Sequence, residues 1–250
     1  MDALTLILPA ELGPGIAAAL ILASFAGSFI TMSMGIGGGA MLLAIMASLM
    51  PPLALIPVHG VVQLGSNTGR AASLWRHIHW AALGWFGVGS VAGVLGGSAL
   101  VANLPPGLVQ VGVGLFLIWS VLARPPAWMR RWPAITGALT SFLTMFFGAT
   151  GPFVATFARS LGLDRHGYTA TQASLMVMQH SLKSLAFGFL GFAFSDWAGF
   201  IAAMILAGLA GTLCGRLVLA RLSDAGFQKL LNIALVLIAL RLIWSGLRSL

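Results

Sequence analysis

Long apolar stretches, separated by short turns that contain proline or polar residues, run along nearly the whole chain. A helix needs about 20 residues to cross roughly 30 Å of hydrocarbon, so stretches of this length predict membrane segments. Eight apolar blocks can be marked, at residues 15–50, 53–74, 78–102, 107–123, 134–161, 168–192, 197–220 and 227–247. The pattern predicts an all-α polytopic membrane protein.

The first and the fifth block are each interrupted by a glycine-rich break. One break is Gly-Ile-Gly-Gly-Gly at residues 35–39, and the other is Gly-Ala-Thr-Gly-Pro at residues 148–152. Each of these blocks predicts a hairpin of two shorter helices, the second of which begins after Gly39 or after Pro152. Lipid offers no hydrogen bonds to irregular backbone, so we expect both joints to face an internal cavity.

The chain also contains an internal duplication. Ser-Phe-Ile-Thr-Met at residues 28–32 returns as Ser-Phe-Leu-Thr-Met at residues 141–145, an offset of 113 residues that drifts to 118 further along. Four more pairs continue the correspondence: Gln63 with Gln179, Asn67 with Lys183, Gly93 with Gly211, and Gly97 with Gly215. We predict two homologous halves, residues 1–123 and 134–250, joined by a basic, proline-rich linker at 124–133. Duplicated apolar chains with broken helices are typical of secondary transporters.

The composition excludes a water-soluble globular protein, because only 7% of the residues are charged and 59% are hydrophobic. Soluble proteins carry about 25% charged residues. The net charge of +8 comes from basic residues scattered at block ends, so a nucleic-acid partner is not expected. We expect no metal or other cofactor, since the chain has neither a carboxylate cluster nor a His-x3-His pair. The start, Met-Asp-Ala-Leu, lacks a basic n-region, so we expect the first segment to stay.

The distribution of basic residues favours one topology. Loops after several blocks contain arginine: Arg76, Arg130, Arg165 and Arg221. If every block crossed once, the loops at Arg130 and Arg165 would lie on opposite faces. If the first and fifth blocks enter and return as hairpins, all of these loops lie in the cytoplasm, as positive loops should. Each half is then a hairpin plus three crossings, and the halves are inverted repeats. Arg248 near the outer end is the exception, and parallel repeats of four crossings remain the alternative.

The glycine joints are the first candidate site. Half-helices that begin at the joints would point unpaired N–H groups and positive dipole ends into the cavity, which favours an anion. We therefore predict that Gly37, Gly38 and Gly39 of the first joint bind substrate, together with Thr150 and Gly151 of the second. The alternative is that these glycines only allow close helix packing.

A polar stripe on two of the blocks is the second candidate. The first stripe, on one helix face, is His59, Gln63, Asn67 and Arg70. Its counterpart in the second half is Gln172, Gln179 and Lys183. A charged group at the centre of a membrane helix costs about 2.5–3.5 kcal/mol, and no Asp or Glu lies near Lys183 in sequence. We predict that the amides of Gln63, Asn67 and Gln179 bind an anion, with Lys183 or Arg70 as the countercharge. The alternatives are that Arg70 extends to the inner face and that Lys183 pairs with backbone carbonyls.

Two histidines, His59 and His180, lie in the same two blocks. Imidazole titrates near neutral pH, so both are candidates for proton coupling. The alternative is that each is a structural side chain with satisfied hydrogen bonds.

These residues resemble a known family. The joint at residues 35–39 after an apolar helix, the His-Ile-His-Trp element at residues 77–80 and the four-segment duplication resemble the sulfite exporter TauE/SafE family. The resemblance covers nearly the whole chain. It implies a bacterial inner-membrane transporter of sulfur-containing anions such as sulfite, sulfoacetate or related organosulfonates. The second joint departs from the family's glycine-rich pattern at Ala149, Thr150 and Pro152.

The combined prediction is a multi-pass secondary transporter, not an enzyme, that exports a small sulfur-containing anion across the inner membrane. Two alternatives stay open. The protein could import or export another small anion or solute, or it could be an accessory subunit or an enzyme within the membrane. The chain contains no nucleophile–base pair and no phosphate-binding loop that would support hydrolysis or an ATP-driven pump.

Overall fold

The computed structural model describes residues 8–35, 37–101, 105–122, 126–218 and 225–250, and these residues form helices joined by short turns, with no strand among them. The α-helices are α1 (Pro14–Met34), α2 (Gly38–Leu49), α3 (Pro52–Ser73), α4 (Leu83–Val101), α5 (Pro106–Leu122), α6 (Pro133–Phe147), α7 (Gly151–Ser160), α8 (Arg165–Phe189), α9 (Ala198–Val218) and α10 (Ala225–Arg248). The first two residues of the predicted linker, 124–125, lie outside the described part.

Among the described residues, four segments are long and apolar enough to cross a membrane: Pro14–Met34, Trp80–Val101, Phe194–Leu217 and Lys229–Arg248. Helices α3 and α8 are as long, with 22 and 25 residues, but they are more polar. They pack against each other, and most of their polar side chains are buried. The predicted all-helical membrane protein is therefore confirmed, with its two most polar long helices packed together and shielded by apolar ones.

Both glycine breaks are turns that reverse the chain. In the first break Gly35 has φ +91° and Gly37 has φ +104°, a left-handed backbone that favours glycine. Helix α2 then folds back along α1, so that Gly27 of α1 lies against the backbone of Gly38. We call α1 and α2, with the turn between them, hairpin 1.

Helices α6 and α7 form the corresponding hairpin 2. Its turn contains Gly148 with φ +75°. Ser160, at the end of α7, donates a hydrogen bond of 3.2 Å to the carbonyl of Arg130, just before α6. Hairpin 2 therefore returns to the side from which it starts.

Several predicted helix starts are wrong by a few residues, among them those of α2, α7 and α8. Helices α2 and α7 begin at Gly38 and Gly151, two residues earlier than predicted. In α7 the reason is that proline suits the first turn of a helix, where its missing N–H is not needed. Helix α8 begins at Arg165, ahead of its apolar block, because the Asp164 side chain caps it by accepting a hydrogen bond from the Gly167 N–H.

Packing between the halves follows the sequence repeat. Gly93 of α4 lies against the backbone of Ala138 in α6, and Gly211 of α9 lies against the backbone of Phe25 in α1. Gly211 is the repeat equivalent of Gly93, and Phe25 precedes Ala138 by the repeat offset. The contact of α4 with α6 is thus repeated in the contact of α1 with α9.

Helices in corresponding positions of the two halves run in opposite directions. In the α3–α8 pair, Gly60 lies beside Lys183, whereas the N–H of His79, just after α3, donates to Thr171 near the start of α8. In the α5–α10 pair, Gly107 lies beside Gly246, so the start of one helix meets the end of the other.

Three basic loops lie at one end of the molecule. The rings of His77 and His166 are 5.4 Å apart, which brings the loop of Arg76 next to the start of α8 at Arg165. Arg130 lies at the same end through its contact with the end of α7. Arg221, which the predicted topology also places there, lies outside the described residues.

Candidate functional site

The two hairpin turns and the helices α3 and α8 surround an internal cavity of about 40 Å³. This volume has room for a few waters or a compact ion. The wall consists of Thr31, Gly37, Gly39 and Ala40 from hairpin 1, His59, Gln63, Asn67 and Arg70 from α3, Gly148, Ala149, Gly151 and Pro152 from hairpin 2, and Gln172, Met176 and His180 from α8.

The N-terminus of α2 forms one part of the wall, since Gly37 and Gly39 flank its first residue. The first N–H groups of a helix have no acceptor within the helix, and this end carries a partial positive charge. A Cβ atom on Gly39 would lie 2.7 Å from the amide nitrogen of Gln63, so a side chain here would collide with that amide. The backbone N–H groups of this joint are therefore not covered by side chains, which favours contact with an anion.

The N-terminus of α7 forms the opposite part of the wall. It begins at Gly151, but Pro152 in its first turn has no N–H to donate. The hydroxyl of Thr150 is fully buried and donates to Oε1 of Gln179, 3.3 Å away, instead of to the cavity. Hairpin 2 therefore offers fewer free donors to the cavity than hairpin 1.

Polar side chains of α3 form a hydrogen-bonded row along the cavity. Nε2 of His59 lies 3.2 Å from the Gly39 carbonyl oxygen and 3.3 Å from Nε2 of Gln63. Nδ2 of Asn67 donates to the Gln63 carbonyl at 2.7 Å, and Nη1 of Arg70 donates to Oδ1 of Asn67 at 3.3 Å. Their spacing of three and four residues places them on one helix face. The row ends on a guanidinium group.

Arg70 is a buried cation on the cavity wall. Only 2% of the residue is exposed, and its Nε has no hydrogen-bond partner among the described residues. The described carboxylates, Glu11, Asp164 and Asp196, are all exposed. Within the described part of the chain, no buried carboxylate balances the charge of Arg70.

Lys183 is the second buried cation, and it lies outside the cavity wall. The residue is fully buried, and its Nζ has no partner in the described structure. Its ε-carbon occupies a notch at Gly60 of α3, where an added Cβ atom would be 2.7 Å away. In α8 it lies beyond Gln172, Met176 and His180, on the side remote from the basic loops.

Gln179 is held by hairpin 2. Its Nε2 donates to Oγ1 of Thr140 at 2.5 Å and to Oγ of Ser141 at 2.9 Å, and its Oε1 accepts from Thr150. The side chain is fully buried, so its hydrogen-bonding capacity is used in holding α8 to hairpin 2.

The two buried histidines lie side by side, one from each half. Their rings meet edge to face with centroids 6.2 Å apart, and both line the cavity. Nδ1 of His59 and Nδ1 of His180 have no partner among the described residues. Each imidazole therefore has a nitrogen atom that is free to bind a proton or a ligand.

The structure places eight of the twelve residues predicted for the site on the cavity wall: Gly37, Gly39, His59, Gln63, Asn67, Arg70, Gly151 and His180. Four lie elsewhere: Gly38, Thr150, Gln179 and Lys183. Gly38 packs against Gly27 and the hydroxyl of Thr31, which closes hairpin 1.

Sequence reasoning did not select several residues of the wall, among them Thr31 and Met176, and it placed Gln172 in the polar stripe without predicting that it binds substrate. Thr31 belongs to the repeated Ser-Phe-Ile-Thr-Met segment, which was a signal that could have been used. Gln172 is 3% exposed with an unpartnered Oε1, and its position seven residues before Gln179 places it on the same helix face.

The sequence model of the family described as Sulfite exporter TauE/SafE matches residues 20–242. The chain belongs to this family. Members of the TauE/SafE family are membrane transporters, so this chain is a multi-pass membrane transporter and not an enzyme, as its sequence predicts. Comparisons with curated proteins and with solved structures give no match.

Proposed function

We propose that this TauE/SafE protein is a secondary transporter that exports a small sulfur-containing anion, either sulfite or an organosulfonate, across the bacterial inner membrane. The main observation in support of this proposal is the position of Arg70. This residue is a buried cation on the wall of a central cavity, and no described carboxylate lies near it. An uncompensated buried charge is strongly unfavourable. An anion that enters the cavity would compensate the charge of Arg70 and would therefore be bound favourably.

The chemistry of the wall suits a sulfur oxyanion. Guanidinium donors bind planar pairs of oxygen atoms well, and the N-terminus of α2, at Gly37 and Gly39, supplies backbone N–H groups on the same wall. The amide side chains of Gln63 and Asn67 line the cavity between the guanidinium group and this N-terminus. The guanidinium group and the backbone N–H groups can therefore donate to different oxygen atoms of a compact oxyanion.

Three residues outside the wall belong to the proposed transport path. Thr150 and Gln179 hold hairpin 2 to α8, and Lys183 supplies a second positive charge in the part of α8 beyond the wall. We propose that His59 and His180 couple transport to proton movement, since each has a free imidazole nitrogen at the cavity.

We also propose that the halves, residues 1–123 and 134–250, are inverted repeats. Helix α3 is antiparallel to its equivalent α8, and α5 is antiparallel to its equivalent α10. A two-fold axis that relates antiparallel helices runs perpendicular to them, as inverted repeats require. The grouping of Arg76, Arg130 and Arg165 at one end supports a cytoplasmic location of that end.

Other functions fit the site less well. A carrier of cations needs oxygen ligands with negative charge, and the cavity wall contains no carboxylate. Another small anion, moved in either direction, remains compatible with the same wall. An accessory subunit would have no need for a central cavity with a buried guanidinium group that no described carboxylate balances.

Uptake of ³⁵S-labelled sulfite, sulfoacetate, taurine and thiosulfate into liposomes that contain the purified protein tests the proposal. We expect transport of at least one anion by the protein alone. Arg70→Met should lower the rate at least tenfold, whereas Arg76→Met, which removes an exposed arginine from a loop, should leave it unchanged. If none of the four compounds is transported, the proposal is wrong. Equal transport rates for Arg70→Met and Arg76→Met would exclude Arg70 from the site.

A further inference from the structure

The four predicted site residues that lie outside the cavity share one property. Each is the repeat equivalent of a residue on the cavity wall: Gly38 of Gly151, Thr150 of Gly37, Gln179 of Gln63, and Lys183 of Asn67. In each of these pairs, one member therefore lines the cavity and the other is buried in contacts with neighbouring residues.

The two members of the glutamine pair show what differs between the halves. Gln63 lines the cavity and makes its hydrogen bonds to His59 and Asn67 of its own helix. Gln179 is bonded to Thr140, Ser141 and Thr150 of hairpin 2 and does not reach the cavity. Hairpin 1 thus meets α3 through the Gly39 carbonyl and His59, which leaves the Gln63 side chain at the cavity, whereas hairpin 2 is held to α8 by the three hydrogen bonds of Gln179.

The same asymmetry applies to Lys183. Its equivalent, Asn67, lines the cavity, and the equivalent of its neighbour Gly60 is Met176, which also lines the cavity. Lys183 itself is sealed in the notch at Gly60 with no partner for its ammonium group among the described residues. No described residue compensates its charge in this conformation, which points to a ligand or to water in another conformation.

We infer that a second cavity forms around Gln179, Lys183 and Thr150, on the outer side, when the two halves exchange conformations. This rests on the proposed transport function and on inverted repeats, for which such an exchange converts an inward-open into an outward-open state. In that state hairpin 2 separates from α8, and Gln179 and Lys183 take the roles that Gln63 and Asn67 have now.

If the two halves exchange conformations, each of the two states has a different cation at its cavity. The equivalent of Arg70 is Ala186, and the equivalent of Lys183 is Asn67, so neither cation has a charged counterpart. The anion is held by Arg70 in the cavity seen here and by Lys183 in the outer cavity. Transport is then a transfer of the anion from the cation of one half to the cation of the other.

Thiol accessibility tests the outer cavity. Ile56 is the equivalent of Gln172, and it lies buried beside Gly148 in hairpin 2. In a Cys214→Ala background, we expect Ile56→Cys to react with a membrane-impermeant methanethiosulfonate from the outside of right-side-out vesicles. Val58→Cys is the matched control, because Val58 is equally buried on the same helix but its equivalent, Ser174, does not line the cavity.

A second variant covers the case in which Ile56→Cys does not fold. Thr144→Cys is nearly isosteric, and Thr144 is the buried equivalent of the wall residue Thr31. Labelling of either variant at a rate at least tenfold above Val58→Cys supports the outer cavity. If both folded variants react no faster than Val58→Cys in vesicles whose Cys214→Ala protein transports the anion, the second cavity is excluded. If that protein transports none of the four anions, the proposed function itself fails.

Discussion

The ε-carbon of Lys183 lies in a notch at Gly60, on the neighbouring helix α3, where a Cβ atom would be 2.7 Å away. Glycine at this position lets a long cationic side chain lie flat between two central helices. The notch explains how a lysine can be fully buried in α8 without displacing α3. The position of the Lys183 ammonium group therefore depends on the absence of a side chain at Gly60.

Gly60→Ala should therefore move Lys183 while the fold is retained. The new methyl group would meet the far end of a flexible side chain, which can shift at low cost. We expect a lower transport rate with little change in melting temperature. Because the two residues touch, Gly60→Ala and Lys183→Ala should be non-additive. Additive effects on the transport rate would show that the contact plays no part.

Lys183→Met should fold normally, since an apolar side chain of similar length replaces a buried cation. Anion affinity, measured from the outside of proteoliposomes, should fall by about 2 kcal/mol or more through loss of a charge-assisted hydrogen bond. Lys183→Arg should restore only part of it, because the planar guanidinium needs different geometry. Lys229→Met removes an exposed lysine and is the control. Unchanged affinity in Lys183→Met would remove this residue from the site.

The close helix contacts predict which glycines are needed for stability. Alanine at Gly93 or Gly211 would collide with the backbone of the partner helix, whereas at Gly96 the nearest atom is 3.8 Å from the added Cβ. Since backbone cannot move aside as a side chain can, Gly93→Ala and Gly211→Ala should each cost about 1–3 kcal/mol or more. Thermal unfolding in detergent checks this. A melting temperature of Gly96→Ala as low as that of Gly93→Ala would contradict the packing.

Much of the fold follows from the sequence. The apolar blocks and glycine breaks predict the helices and both turns, because lipid forces backbone hydrogen bonds into helices and leaves glycine to make the reversals. The cap by Asp164 was missed, since α8 begins with residues such as Arg165 that a search for apolar blocks passes over.

The site follows from the sequence less completely. Helical spacing identifies Gln63, Asn67 and Arg70 as one face. It does not reveal how α8 is rotated against hairpin 2, so it cannot tell that Gln172 lines the cavity while Gln179 bonds to hairpin 2. That distinction depends on contacts between residues far apart in the chain.

The topology can be tested by labelling of single cysteines in a Cys214→Ala background. Cysteines that replace Arg76, Arg130 and Arg165 should react with an impermeant reagent from the cytoplasmic side. Asp196→Cys, in the turn between α8 and α9, should react from the outside and serves as the control. Labelling of the Arg130 and Arg165 positions from opposite sides would contradict inverted repeats and favour parallel ones.

Calorimetric titration of the purified protein with sulfite and with sulfoacetate tests most directly whether the cavity at Arg70 binds the transported anion. Binding of at least one of them should be saturable, and Arg70→Met should weaken it by about 1.5–3 kcal/mol, the range for a hydrogen bond to a charged group. Arg76→Met should bind as the unaltered protein does. Equal affinity of Arg70→Met and the unaltered protein for the anion that is transported would show that Arg70 does not bind it.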